Sequence, residues 1–401
     1  MSRIMLLWAI WLMSLWLSSS GFAQTTELEL APKMYTGIVD FGDPNVAKLS
    51  ARFSKLEHHS VENDVVVITQ FGDSHSAADF FTGELRRLMQ ERYGDAGIGW
   101  VTPMPVPGQY HIGLSWKTQH WQIVSSRNVH DRLYPMGGYI ASPTKNSSVL
   151  QVIPQQSQAA EKWTVSMRVK LLKRNALQVF DAKETRLPLR LPTRLNQWQS
   201  VNFVTTMPFQ IKTTNMGVEL GSFWLQKRHQ AGVIVSPIAT NGAKLSLWQK
   251  WSADWFDELP STKSDLVILA YGTNESFEST LNLAEYRKNL IYNIAQIRKQ
   301  LPRAVILLFS SPDTLLSSVS APASCDARHP PSYQAVRQIQ QEVAQSERLL
   351  YWDWQTAMGG NCIIEKWRMM DLARPDLVHL TRTGYVQSAT TFYQDLLKLL
   401  R

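Results

Sequence analysis

Continuous apolar runs alternate with helix-spaced patterns at both ends of this chain. Val65–Thr69 (VVVIT) is uncharged and β-branched throughout, and a helical spacing follows near Ala78–Arg92. Gly232–Pro237 (GVIVSP) repeats the theme ahead of a Trp-rich helical stretch near Leu245–Leu259. Leu266–Tyr271 (LVILAY) precedes Leu281–Gln300, where Leu283, Tyr286, Leu290, Ile294 and Ile297 recur at helical spacing. Ala304–Ser310 leads to a helix near Ser332–Ser346, and Leu349–Trp352 to a final amphipathic helix over Thr383–Leu400. Strands that are apolar throughout are covered on both faces, so five such units predict a parallel sheet in a three-layer, flavodoxin-like α/β fold. Its ligand site is expected at the carboxyl ends of the strands.

Between the first and second units the period changes. From Pro105 to His229 the pattern is of short alternating stretches: Ser148–Ile153, Trp163–Leu171, Ala176–Phe180, Ser200–Thr205 and Gly217–Leu225. Alternation every second residue between turn-rich segments predicts an antiparallel β-sandwich, inserted into the α/β domain rather than appended to it. The expected organisation is therefore residues 24–104 and 230–401 as one discontinuous domain, with 105–229 as the insert. Trp116, Trp121, Trp163, Trp198 and Trp224 lie in the insert. They would serve its core, or as faces on which sugar rings stack.

At 401 residues and 44% hydrophobic, the chain can build two cores. Residues 4–17 (IMLLWAIWLMSLWL) are uncharged and apolar after Arg3, with small residues at Gly21 and Ala23. That run falls short of the roughly 20 residues a membrane span needs, so residues 1–23 are expected to be a secretory signal peptide. No later stretch is apolar for long enough to span a bilayer. The net charge of +8 becomes +7 without Arg3, which suits anionic surroundings such as a wall polymer. The basic residues are scattered rather than blocked, which argues against nucleic acid as a partner. Cys325 and Cys362, in an exported chain, permit a single disulfide, and neither has metal-ligand spacing.

Candidate chemistry collects at the ends of the apolar strands. Gly72-Asp73-Ser74-His75 follows the first and opens a helix, which would present Ser74 at the sheet edge. Asn241-Gly242-Ala243 follows the second strand and Gly272-Thr273-Asn274-Glu275 the third. Gly242 allows close approach of a backbone N–H, and the Asn274 amide offers another donor. Two histidines carry an aspartate three residues earlier, Asp326/His329 and Asp376/His379. In a tight turn that spacing can fix an imidazole tautomer. Asp376/His379, just before the terminal helix, has the firmer support expected of a general base. His75 is a poor base for its own neighbour.

These four blocks together resemble the SGNH/GDSL hydrolases, with Gly72-Asp73-Ser74, Gly242, Gly272-x-Asn274 and Asp376-x-x-His379 in the family's order. Gly-Asp-Ser-His, Asn-Gly-Ala and the β-insert are further similar to the peptidoglycan O-acetylesterases of the Gram-negative periplasm. The resemblance implies Ser74 as nucleophile, His379 as base and Asp376 as its orienter. The N–H groups of Ser74 and Gly242, with the Asn274 side chain, would form the oxyanion hole. It also implies a carbohydrate-binding-like insert, a periplasmic location, and O-acetylated peptidoglycan strands as partner. The reaction expected is removal of the 6-O-acetyl group of N-acetylmuramic acid, with no metal or organic cofactor. An acetyltransferase using the same residues on cell-wall or exopolysaccharide sugars, and a non-catalytic wall-binding protein, are the alternatives. One departure from the family pattern is Glu275, where an aspartate is usual.

Overall fold

The computed structural model describes residues 36–58, 63–155, 161–318 and 324–401. The expected signal peptide lies outside these residues. Five parallel strands, Gly232–Ala239, Val65–Gly72, Leu266–Ala270, Val305–Phe309 and Leu350–Trp352, lie side by side in that order. Ile38–Asp40, which the sequence pattern does not announce, adds an antiparallel edge strand beside Leu350–Trp352. The strands are buried almost throughout, as their largely apolar sequences require. One face packs Val66, Ile68, Val235, Ile268 and Leu307 against helices Val46–Glu57, Phe80–Tyr93 and Arg382–Leu399. The other packs Phe71, Ile238, Val267, Leu269 and Leu308 against Leu283–Gln300 and Tyr333–Ser346.

The Trp-rich stretch departs from its expected α-helix. It forms two 3-10 segments, Leu245–Lys250 and Trp255–Thr262, with Trp251 extended between them. Trp248, Trp251 and Trp255 meet edge-on or stacked at 4.7–5.9 Å between ring centroids. Pro260 lacks the N–H a regular helix would use, and Ser252 N–H donates instead to Tyr134 O at 2.8 Å. Tertiary aromatic packing therefore overrides helical propensity here.

The β-rich part comprises two antiparallel sheets. One runs Trp198–Thr206, Lys162–Leu171, Val218–Lys227, Tyr139–Pro143 and Trp121–Ser125, with Gly97–Val101 also paired to Val218–Lys227. The other runs Leu114–Gln119, Val149–Pro154, Phe209–Thr213 and Leu177–Phe180. Val165, Met167, Val169, Leu150, Val152 and Ile211 fill the space between them. Gly97–Val101 joins the two parts. Trp100 N–H donates to Ser236 Oγ at 2.7 Å, and Asp95 bridges to Val233. Among the five tryptophans of residues 105–229, Trp121 and Trp163 are buried, while Trp116, Trp198 and Trp224 are half-buried.

Candidate active site

Register brings three candidate loops together. Gly72 pairs with Ala239 on one side and Ala270 on the other, so the three strands end at one level. The chain must leave through glycine at this point, because a Cβ on Gly72 would stand 2.2 Å from Ser76 Oγ. Asp73 then turns inward and its carboxylate accepts the His75 N–H at 2.9 Å, which starts the short helix Ser74–Ala77. Burial pushes the Asp73 carboxyl up to about 7, against the pull of that hydrogen bond. Ser74 itself stays half-exposed.

Ser74 Oγ lies 2.9 Å from His379 Nε2, and His379 Nδ1 lies 2.9 Å from Asp376 Oδ2. The other Asp376 oxygen accepts the Val378 and His379 N–H groups, each at 2.9 Å. Burial works to raise the Asp376 pKa, but these bonds and the adjacent imidazole outweigh it and hold the carboxyl well below its usual range. A permanently ionised carboxylate on Nδ1 favours the tautomer whose Nε2 is free to accept the serine proton. Such a chain can deprotonate a hydroxyl as it attacks a carbonyl.

Gly242 has φ +68°, the left-handed conformation that favours glycine. Asn274 Nδ2 donates to Ala243 O at 2.9 Å and, at 3.4 Å, to Asp73 Oδ2. The amide is thus held by both neighbouring loops, and the longer of these bonds is the one a developing oxyanion could displace. Glu275 fastens the same loops from beneath. Its carboxylate accepts Leu245 N–H at 2.7 Å and Gly272 N–H at 3.1 Å, so the longer side chain spans two segments.

The other Asp/His pair is elsewhere. His329 is buried, with Nδ1 2.8 Å from Thr314 O and Nε2 2.8 Å from Asn361 Oδ1, its ring stacked on Tyr333. Cys325 and Cys362 are joined as a disulfide beside it. His75 makes no hydrogen bond to Ser74. Its ring packs 5.5 Å from that of His379, and its Nδ1 lies 2.9 Å from Tyr385 Oη. Burial and the His379 charge push its pKa down to about 3, so it stays neutral beside the imidazole.

Known proteins resemble this chain along most of its length. A family model described as the N-terminal part of peptidoglycan O-acetylesterase matches residues 96–210, and one for GDSL-like lipases and acylhydrolases matches 213–386. A solved structure described as "Peptidoglycan O-acetylesterase in action, 5 min" is 32% identical, with a TM-score of 0.82 over 91% of this chain and 99% of that one. The chain belongs to the peptidoglycan O-acetylesterase family.

Weaker likenesses, to an acetyl xylan esterase (TM-score 0.32, 16% identical, 40% of this chain and 80% of that one) and a family two carbohydrate esterase from Cellvibrio japonicus (0.30, 10%, 71% and 99%), add nothing further. No curated protein sequence matches. Within this O-acetylesterase, two side chains near the site escape sequence reading. Tyr139 comes from the β-rich part, its hydroxyl 2.9 Å from Thr240 Oγ1 and accepting from Gln109 Nε2 at 2.6 Å. Arg127 is the other. No spacing rule could link either to Gly242. No helix among the described residues is long and apolar enough to cross a membrane.

Proposed function

We propose that this O-acetylesterase removes the 6-O-acetyl group of N-acetylmuramic acid in peptidoglycan, on the outer side of the cytoplasmic membrane in the periplasm. The observation that carries this reading is the Ser74–His379–Asp376 hydrogen-bond chain, two links of 2.9 Å at the level where three strand-end loops meet. Ser74 Oγ attacks the acetyl carbonyl carbon while His379 Nε2 takes its proton. The carbonyl oxygen becomes an oxyanion facing the Ser74 and Gly242 N–H groups and the Asn274 amide. As the C–O bond to the sugar breaks, His379 returns the proton to the sugar oxygen and leaves acetyl-Ser74. Water, deprotonated by the same imidazole, then releases acetate and restores the serine. Asp376 stays ionised throughout and stabilises the imidazolium. In this reading residues 24–104 and 230–401 carry the chemistry and 105–229 faces the glycan, with Gly97–Val101 as the strand joining them.

The test is acetate release from O-acetylated peptidoglycan by purified protein, wild type beside Ser74→Ala. The wild type should release acetate, and the variant should lose at least about 10³-fold. Equal rates would remove Ser74 from the mechanism. Hydrolysis of p-nitrophenyl acetate without any release from peptidoglycan would leave an esterase with a different substrate.

A further inference from the structure

Arg127 follows the strand Trp121–Ser125 in the β-rich part, yet its guanidinium rests on Gly242 of the second site loop. A Cβ on Gly242 would stand 2.5 Å from Arg127 Nη2 and 2.6 Å from Cζ. The turn that delivers it is firmly held. Ser126 is buried, its N–H donates to Gly138 O at 2.8 Å, and its Oγ accepts the Trp251 indole N–H at 3.1 Å. The N–H groups of Asn128 and Val129 both donate to Ser125 O at 3.0 Å. A well-anchored backbone thus carries an exposed guanidinium to the edge of the site.

That guanidinium has no carboxylate partner among the described residues. The nearby Lys244, by contrast, is paired with Glu278. Tyr139 and Thr240 nearby are buried, and the Tyr139 hydroxyl is already bonded to Thr240 and Gln109. A planar fork of N–H donors, left unpaired at the end of an anchored turn, matches a carboxylate better than a neutral sugar hydroxyl. N-acetylmuramic acid without a peptide carries such a group on its lactyl ether; where a peptide is joined there by an amide bond, the peptide carries carboxylates of its own.

We infer that Arg127 is a specificity-determining residue that anchors a substrate carboxylate beside the ester being cleaved. The inference rests on the esterase reading above and adds a charge requirement to it. The β-rich part thereby contributes directly to substrate choice at the catalytic loops. Nothing in the hydrolysis itself needs this cation, so its effect is a preference between substrates.

The experiment compares kcat/KM for three soluble acetyl esters on the full protein: 6-O-acetyl-N-acetylmuramic acid, its carboxamide, and a muramoyl peptide with a free peptide carboxylate. Roughly tenfold preference for the free acid over the carboxamide is expected, as for a charge-assisted pair at a partly solvated site. Arg127→Gln should bring that ratio near one, while Arg127→Lys should keep part of it. Preference for the muramoyl peptide instead, again abolished in Arg127→Gln, would place the anchored carboxylate on the peptide. Equal kcat/KM for all three esters in the wild type, or a preference that survives in Arg127→Gln, would overturn the proposal. Absence of acetate release from every ester would instead strike the esterase reading itself.

Discussion

Replacing Glu275 with glutamine isolates the tie beneath the site loops. The buried carboxylate accepts Leu245 N–H at 2.7 Å with one oxygen and Gly272 N–H at 3.1 Å with the other. Glutamine offers one carbonyl oxygen of similar reach, so one backbone N–H keeps a partner and the other meets an NH₂ donor. A hydrogen bond to a charged group contributes about 1.5–3 kcal/mol, and an orphaned buried N–H costs a similar amount. Against this, burial penalises the native carboxylate and raises its pKa, so removing the charge recovers part of the loss. The balance is about 2 kcal/mol of destabilisation. At the lower end of the scale for large domains, about 2 °C per kcal/mol, the melting temperature falls by roughly 4 °C. Activity should suffer more, because the two segments lead to Gly242 and Asn274, and a misplacement of about 1 Å can cost 10²-fold. Scanning calorimetry and kcat on p-nitrophenyl acetate measure both effects. Glu275→Asp retains the charge but is one methylene short, and should show a smaller stability loss with a clear drop in kcat. If Glu275→Gln melts and turns over like the wild type, the carboxylate does not hold these loops.

Four further outcomes are expected. Asp73 keeps its proton in the folded state up to about 7, against 3.8 unfolded, so its contribution to stability falls as pH rises between these values. The difference in unfolding free energy between wild type and Asp73→Asn should therefore shrink or change sign by up to roughly 4 kcal/mol from pH 4 to 7, and a pH-independent difference in urea titrations would refute this. His329→Ala should lower stability by about 1–3 kcal/mol through its lost hydrogen bonds while kcat stays within a few-fold. In the same acetate assay, His379→Ala should lose at least about 10³-fold. The double variant Cys325→Ser/Cys362→Ser removes a link between residues 37 apart, and chain entropy sets its cost at up to roughly 4 kcal/mol in calorimetry.

The parallel sheet was legible because its strands are buried on both faces and are mostly apolar, with few polar residues such as Thr69, Gln70 and Ser236 among them. Val65–Gly72 and Val305–Phe309 could hardly be read otherwise. The β-rich part was legible only where alternation is clean, as in Lys162–Leu171. Gly97–Val101 (GIGWV) carries two glycines and no alternation that announces a strand, yet pairing with Val218–Lys227 makes it one. The Trp-rich stretch misleads for a different reason, since its rings are spaced for a helix but find better partners in one another. At the site, local motifs reveal Ser74 and Asp376/His379, because each depends on a turn a few residues long. Arg127 and Tyr139 reach it through the docking of one part on the other, which leaves no mark on sequence spacing.

The strand Gly232–Ala239 ends the parallel sheet, and its free side is closed by the segment around Asp95–Trp100. All eight of its residues are buried. A shortened enzyme lacking the β-rich part together with Asp95–Val101 would present that greasy border, with its backbone donors and acceptors, to water. Its molecules would tend to stack border to border and leave solution. Engineering a minimal esterase from this scaffold therefore calls for a replacement cover along Gly232–Ala239, before any attention to the catalytic residues.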